Sequence, residues 1–205
     1  MPSREDADEL FAKAREQNPG PWVEHCKTAA RAAEIIARES GLDAERAYVS
    51  GLLHDIGYCE YRNGKGRTSH IYIGYELMAE KGYETIAKIC LSHSFPHPHQ
   101  DVKFYAGSDM KNCSAAELSV IGAFLSETVY DDYDKLIQLC DCLTGTSGVI
   151  IMEKRMMDVV MRHGFNDFTV KKWGSYFALK NYFDKLCGIN FYNLFYDEIT
   201  TGIFG

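Results

Sequence analysis

Apolar residues recur every three to four positions along most of this chain, the spacing of amphipathic helices, while strict alternation of the strand kind is weak. The segment Trp22–Arg38 sets Trp22, Cys26, Ala29, Ala33 and Ile36 on one face and stops at Gly41. Asp43 is placed to cap a second helix that runs through Ala47, Leu52 and Leu53 toward Gly57. After a loop holding Gly64 and Gly66, helices are expected from about His70 to Gly82 and from about Tyr83 to His93. The stretch Ser94 to Cys113, broken by Pro96, Pro98, Gly107 and Asn112, reads as a long loop, and such loops inside compact domains commonly carry function. Ser114 and Glu117 have capping-box spacing ahead of the apolar run Leu118 to Leu125. Asp131 or Asp132 starts a helix over Tyr133–Thr144, and two more are expected at Val149–His163 and Val170–Cys187, ended by Gly164 and Gly188. The aromatic tail from Ile189 to Gly205 is expected to pack on the body. With no repeat, low-complexity block or long linker, the pattern predicts one all-α domain.

Composition narrows the function rather than the fold. The chain has 205 residues, 46% of them hydrophobic and 25% charged, as in soluble globular proteins. A net charge of -7 argues against duplex DNA or RNA as a partner, since that binding relies on Lys and Arg neutralising phosphates. A small anionic substrate stays compatible, because a local positive site can exist in an acidic protein. No uncharged apolar stretch approaches the roughly 18 residues of a membrane span, and the start, Met1 to Asp6, lacks the basic-then-apolar form of a signal peptide. The seven cysteines form no CxxC pair and several lie in apolar runs. They read as reduced thiols in the cytoplasm and as poor zinc ligands.

The strongest chemical signal is His54-Asp55, at the end of an apolar helix in Gly51-Leu52-Leu53-His54-Asp55-Ile56-Gly57. Adjacent ligands at a helix terminus can face one point, and Gly57 is expected to let the backbone turn away behind them. An imidazole beside a carboxylate offers the nitrogen and oxygen donors that suit Zn, Fe, Mn or Ni, and the two oxygens of Asp55 could bridge two ions. An isolated His-Asp pair is more often a helix cap, but this one has company. His25 lies on the apolar stripe of its helix, and Asp141 sits in Leu136-Ile137-Gln138-Leu139-Cys140-Asp141-Cys142-Leu143, where a lone buried carboxylate would cost several kcal/mol. A metal ion removes that cost. His70 opens one helix and His93 closes another, completing a set large enough for two ions sharing Asp55. Asp134 and Gln138 share the face of Asp141 and are candidates to support it. His97 and His99 are weaker candidates for the metal mouth or for a proton donor, and Lys103 for substrate contact. His163 is expected at the surface, complementing a helix dipole. The cations of Arg62-Asn63-Gly64-Lys65-Gly66-Arg67 could cradle a phosphate, with Arg62, Lys65 and Arg67 as the substrate-binding residues.

The order His25, His54-Asp55, Asp141, with the fragment His54-Asp55-Ile56-Gly57, resembles the HD superfamily of metal-dependent hydrolases and its HDIG subgroup. The likeness covers roughly Pro19 to Arg155. It implies an all-α helical bundle over residues 1–205, with a metal-binding core at about 19–155 and helices from 149–205 packed on it. It also implies that His25, His54, Asp55 and Asp141 hold one divalent transition-metal ion. The added His70 and His93 resemble those of the dinuclear HD proteins, in which they would hold a second ion with Asp55 bridging. Two departures stand out. Where many HD proteins carry Lys after the glycine, this chain has Tyr58, and neither a GYP loop nor a paired histidine accompanies His93, which argues against cyclic di-GMP as substrate. The expected activity is hydrolysis of a small phosphorylated metabolite or nucleotide in the cytoplasm, with His54, Asp55 and Asp141 as catalytic metal ligands and Arg62, Lys65 or Arg67 offsetting transition-state charge. Some HD proteins with this six-residue set are di-iron oxygenases, which is the rival expectation; a non-catalytic nucleotide sensor is the third.

Overall fold

The computed structural model describes residues 1–61, 69–97, 113–145 and 148–204, and among these the structure is helical apart from one short hairpin. Arg62, Lys65, Arg67, His99 and Lys103 lie outside the described residues.

Helix α1 (Arg4–Gln17) is an addition to the expected set. Its buried positions, Ala7, Phe11 and Ala14, are sparse, and it begins at a capping box between Ser3 and Asp6 set in an acidic start. Helix α2 (Trp22–Ser40) ends at Gly41, whose φ of 75° is the left-handed stop that the glycine makes cheap. In α3 (Ala44–Leu53) the Asp43 carboxylate accepts from the N–H groups of Glu45 and Arg46, as expected of that cap. The two helices approach closely because their contact is built from small residues. Ala29, Ala30 and Ala33 are fully buried, and a Cβ placed on Gly51 would come within 2.8 Å of the Ala30 Cα.

A single 3-10 turn (Ile56–Cys59) follows the His-Asp pair, then α4 (His70–Glu80) and α5 (Glu84–Ser92). Helices α6 (Ala115–Glu127) and α7 (Asp132–Leu143) both start at side-chain capping boxes, on Ser114 with Glu117 and on Asp131 with Asp134. Thr144 and Val149, expected in helices, pair instead across an antiparallel hairpin of β1 (Thr144–Gly145) and β2 (Gly148–Val149). β-Branched residues with flanking glycines favour extended backbone, so the next helix, α8 (Met152–His163), begins only after Ile150 and Ile151. Helix α9 (Thr169–Cys187), a second 3-10 turn (Phe191–Phe195) and α10 (Tyr196–Phe204) complete the chain.

Helix α2 is the axis of the core. One side packs with α7, α8 and α9 around Ile36, Leu136, Leu139 and Phe183, and the other meets α1, α3 and α5 around Phe11, Cys26 and Leu53. A third cluster joins α4, α5 and α6 through Ile71, Leu91, Phe95 and Leu125. The tail is held by Phe191 and Phe195, both buried, and by Glu198, which takes two hydrogen bonds from Arg31 of α2 and one from the Val149 N–H of β2. The short connections turn α3 back along α2 and α5 back along α4. The start of α2, the end of α3, the start of α4 and the end of α5 therefore share one end of the bundle, and each carries a histidine.

Candidate metal centre

Asp55 is the hub. It follows α3 directly and is buried, with its two carboxylate oxygens facing different partners. On one side Oδ2 lies 3.6 Å from His54 Nε2 and 3.8 Å from His25 Nε2. On the other, Oδ1 lies 3.3 Å from His70 Nε2 and 3.2 Å from His93 Nε2. Asp141 joins the first group, its Oδ1 3.0 Å from His25 Nε2. The donor atoms of His25, His54 and Asp55, and those of Asp55, His70 and His93, form two compact groups that could each hold an ion. The six residues marked in the sequence as ligands thus come together at one point.

The outer edges of the rings show why the inner edges need a cation. His54 Nδ1 is 2.7 Å from the Gly51 carbonyl, and His93 Nδ1 is 2.9 Å from the Cys90 carbonyl. A carbonyl only accepts, so each Nδ1 carries the proton and each Nε2 is left with a lone pair. His25 reaches the same state through Thr144. The Thr144 hydroxyl donates to the Asp141 carbonyl at 3.0 Å and so accepts from His25 Nδ1 at 2.6 Å. His25 Nε2 and His54 Nε2 then face each other at 3.3 Å with a carboxylate beside them. Lone pairs and negative oxygens in such contact repel unless a positive charge lies between them. Burial pushes the His54 and His70 imidazoles down to about 4, so neither of these two rings is doubly protonated at neutral pH. A metal ion could supply the charge. On the other side Asp55 Oδ1 is buried and has no hydrogen-bond partner among the described residues. The donor set therefore fits one or two divalent transition-metal ions.

Burial alone would raise both carboxyls, but the imidazoles outweigh it. His54 and His70 foremost hold Asp55 well below its ordinary range, and the adjacent His25 imidazole does the same for Asp141. His93 behaves differently from its neighbours: burial lowers it, but the negative charge of Asp55 beside it prevails and raises it above the usual imidazole value. The buried thiols of Cys26, Cys90, Cys140 and Cys142 are all pushed up by burial, which keeps them protonated and out of the ligand set.

Local sequence explains how the ends meet. Gly57 does not take a left-handed conformation, contrary to the expectation that it lets the chain turn away. Its role is close approach. A Cβ there would sit 1.9 Å from the His70 carbonyl oxygen and 2.5 Å from the Gly74 nitrogen, so only glycine lets the 3-10 turn seat against the start of α4. Tyr58, which stands where the resemblance would put Lys, stacks on the His70 ring at 4.3 Å and 12°, fixing its plane. Asp134 and Gln138 do not touch the ligands. Asp134 pairs with Lys88 and accepts from Ser92 Oγ, while Gln138 donates to the Ser92 and Phe95 carbonyls, so together they hold the turn that carries His93.

The cluster floors a cleft of about 870 Å³. One wall is Asn18 to Trp22 with Tyr58, and the facing wall is α8, which contributes Arg155, Asp158, Val159 and Arg162. Sequence reasoning missed these arginines, although their spacing, two helical turns apart with Asp158 and Val159 between, marks a single face. Thr144 was also missed, and nothing in its local pattern marks it. Among the described residues, His97 is exposed and does not line the cleft, and His163 ends α8.

A comparison with protein families finds one match, to the family described as HD domain, over residues 22–146. No curated protein and no solved structure matches the chain. The matched span runs from the first residue of α2 past Thr144 and contains all six candidate ligands, while α8 to α10 lie beyond it.

Proposed function

Since the chain belongs to the HD domain family, we propose that it is a metal-dependent phosphohydrolase acting on a small phosphorylated metabolite or nucleotide. The observation that carries this reading is the meeting, in one cleft, of a metal-type cluster with two guanidinium side chains. His25, His54, Asp55 and Asp141 would hold one ion, and His70 and His93 with Asp55 a second. A divalent ion so held supplies Lewis acidity, which brings the pKa of a water to about 7 and polarises a phosphoryl oxygen. The protein contributes the rest. The Nδ1 anchors of His25, His54 and His93 keep three rings in one tautomer, so the donor set is preorganised. Asp55 and Asp141 stay ionised at neutral pH and bring two negative charges to the site. Arg155 and Arg162 offset the negative charge of a bound phosphoester, the part expected of Arg62, Lys65 and Arg67. Cleft volume suits a ligand of nucleotide size or smaller.

The test is an assay of the purified protein, loaded in turn with Mn, Fe, Zn or Ni, against a panel of nucleotides and phosphomonoesters. Phosphate release that disappears in His54→Ala supports the reading; release that persists in that variant, or none with any ion, removes it. A second reading, a di-iron oxygenase, is favoured by one feature, the division of Asp55 between two pairs of imidazoles. Iron content with oxygen consumption coupled to substrate loss would establish it, and turnover with Mn under nitrogen would exclude it.

A further inference from the structure

Arg155 and Arg162 differ from most described arginines of this chain, and from the likewise unpaired Arg15 in lining the cleft. Arg4, Arg31, Arg38 and Arg46 each lie in an ion pair with a carboxylate. Among the described residues, neither Arg155 nor Arg162 has one, although both line the cleft. Asp158 lies between them on the same face, but the contact Arg162 makes with it is from Nε to the backbone carbonyl, at 3.2 Å. That bond anchors the arm at its neck and leaves the terminal nitrogens of the fork available. Seven residues of helix place the two arginines about 10 Å apart along α8. The Arg155 charge reaches Cys142, the neighbour of Asp141. A single phosphoryl group seated at the cluster uses one of these cations at most. The pair also lies beyond the part of the chain that matches the family, so it is a property of this chain rather than of the shared core.

We propose that Arg155 and Arg162 form a second anion subsite in the metal cleft, and that the substrate therefore carries two anionic groups. One is the phosphoryl group that reacts over the His/Asp cluster. The other is a phosphate or carboxylate held at the α8 end by the guanidinium forks. The inference rests on the phosphohydrolase reading. The reaction is plain hydrolysis: the oxygen of water forms a new P–O bond, the ester P–O bond breaks, the leaving alkoxide takes a proton from that water, and nothing is oxidised. Asp158, between the two arginines, repels a third anion and accepts from a hydroxyl, which disfavours more densely charged ligands.

The experiment compares n-butyl phosphate, 4-phosphooxybutanoate and 1,4-butanediol bisphosphate as substrates. In parallel, butylphosphonate and alkane bisphosphonates of increasing length, which cannot be hydrolysed at carbon, are titrated calorimetrically into metal-loaded and metal-free protein. Each is run with the wild type, Arg155→Gln, Arg162→Gln and the control Lys154→Gln, which removes a charge from the same helix outside the cleft. Both bis-anions are expected to exceed the mono-anion in kcat/KM and affinity, and each arginine variant to cut that preference about tenfold. The control keeps it. Preference for the bisphosphate alone names phosphate as the second group, and equal preference for the carboxylate names the charge. Equal binding of mono- and bis-anions by the wild type, or an equal loss in Lys154→Gln, overturns the subsite. Arginine-dependent bisphosphonate binding without turnover of any phosphoester would instead retain the subsite and overturn the hydrolase reading.

Discussion

Thr144 shows how a neighbour of the cluster can decide what a candidate ligand offers. Its hydroxyl has one proton, and the Asp141 carbonyl takes it. What remains is an acceptor, which obliges His25 Nδ1 to donate and leaves Nε2 bare toward Asp55 and Asp141. Thr144→Val keeps the shape and removes the hydroxyl. Such supporting partners typically contribute 10–100-fold in metal affinity, so the variant is expected to bind metal roughly tenfold more weakly or worse. Competition with a fluorescent chelator measures this, and Thr144→Ser should restore it. Unchanged affinity in Thr144→Val would mean the hydroxyl does not set the tautomer. At this scale the residues that cluster on Asp55 were legible in the sequence and their supports were not. A buried Asp141 or an inward His25 violates the apolar pattern and so announces itself. Thr144 violates nothing: it is an ordinary residue at a helix end, and its part depends on a contact across 119 positions.

Between elements, the decisive contact is that of the 3-10 turn with α4. The close approach of Gly57 to the His70 carbonyl is what brings His70 against Asp55. Gly57→Ala forces a Cβ into backbone on both His70 and Gly74, where no rotamer change gives relief. Overpacking of this kind costs about 1–3 kcal/mol when side chains can yield, and here the upper end or more is expected, as a lower midpoint in urea. The second pair, His70 and His93, should be pulled from the first, so the metal content found for the wild type by elemental analysis should fall. A variant as stable as wild type, with full metal content, would show that α4 is free to shift. The helices themselves were legible because an apolar stripe and its caps are local. Asp43, Ser114 and Asp131 cap where their spacing predicts. Helix α1 was not, since Ala7, Phe11 and Ala14 make too thin a stripe to read without the partners that bury them. The hairpin was missed because its strands are two residues each, below any periodicity.

For the whole molecule, the cluster couples stability to pH and to metal, and the sign follows from where each imidazole sits. His54 and His70 are held by burial at about 4, below their ordinary 6.5. As pH falls from 6.5 toward 4, the unfolded chain takes up these two protons and the native state does not, so unfolding becomes easier across that window. His93 is raised, so it contributes stability below 6.5 that is lost as pH climbs through its native value. Its contribution is already in place across that window, so the metal-free protein is expected to lose stability from pH 6.5 to 4. A bound ion adds RT ln(1 + [M]/Kd), about 2.7 kcal/mol at a hundredfold excess over Kd. Protons compete for the same lone pairs, so this increment should shrink over the acid range, with His93 the first ring to be taken. Urea titrations at steps between pH 7 and 4.5, with and without metal, follow both quantities. The metal increment should narrow steadily as pH drops, and His93→Gln should narrow less steeply from a lower start. An increment independent of pH would mean that the ion is not held by imidazole nitrogens, and the centre built on Asp55 would then have to be abandoned.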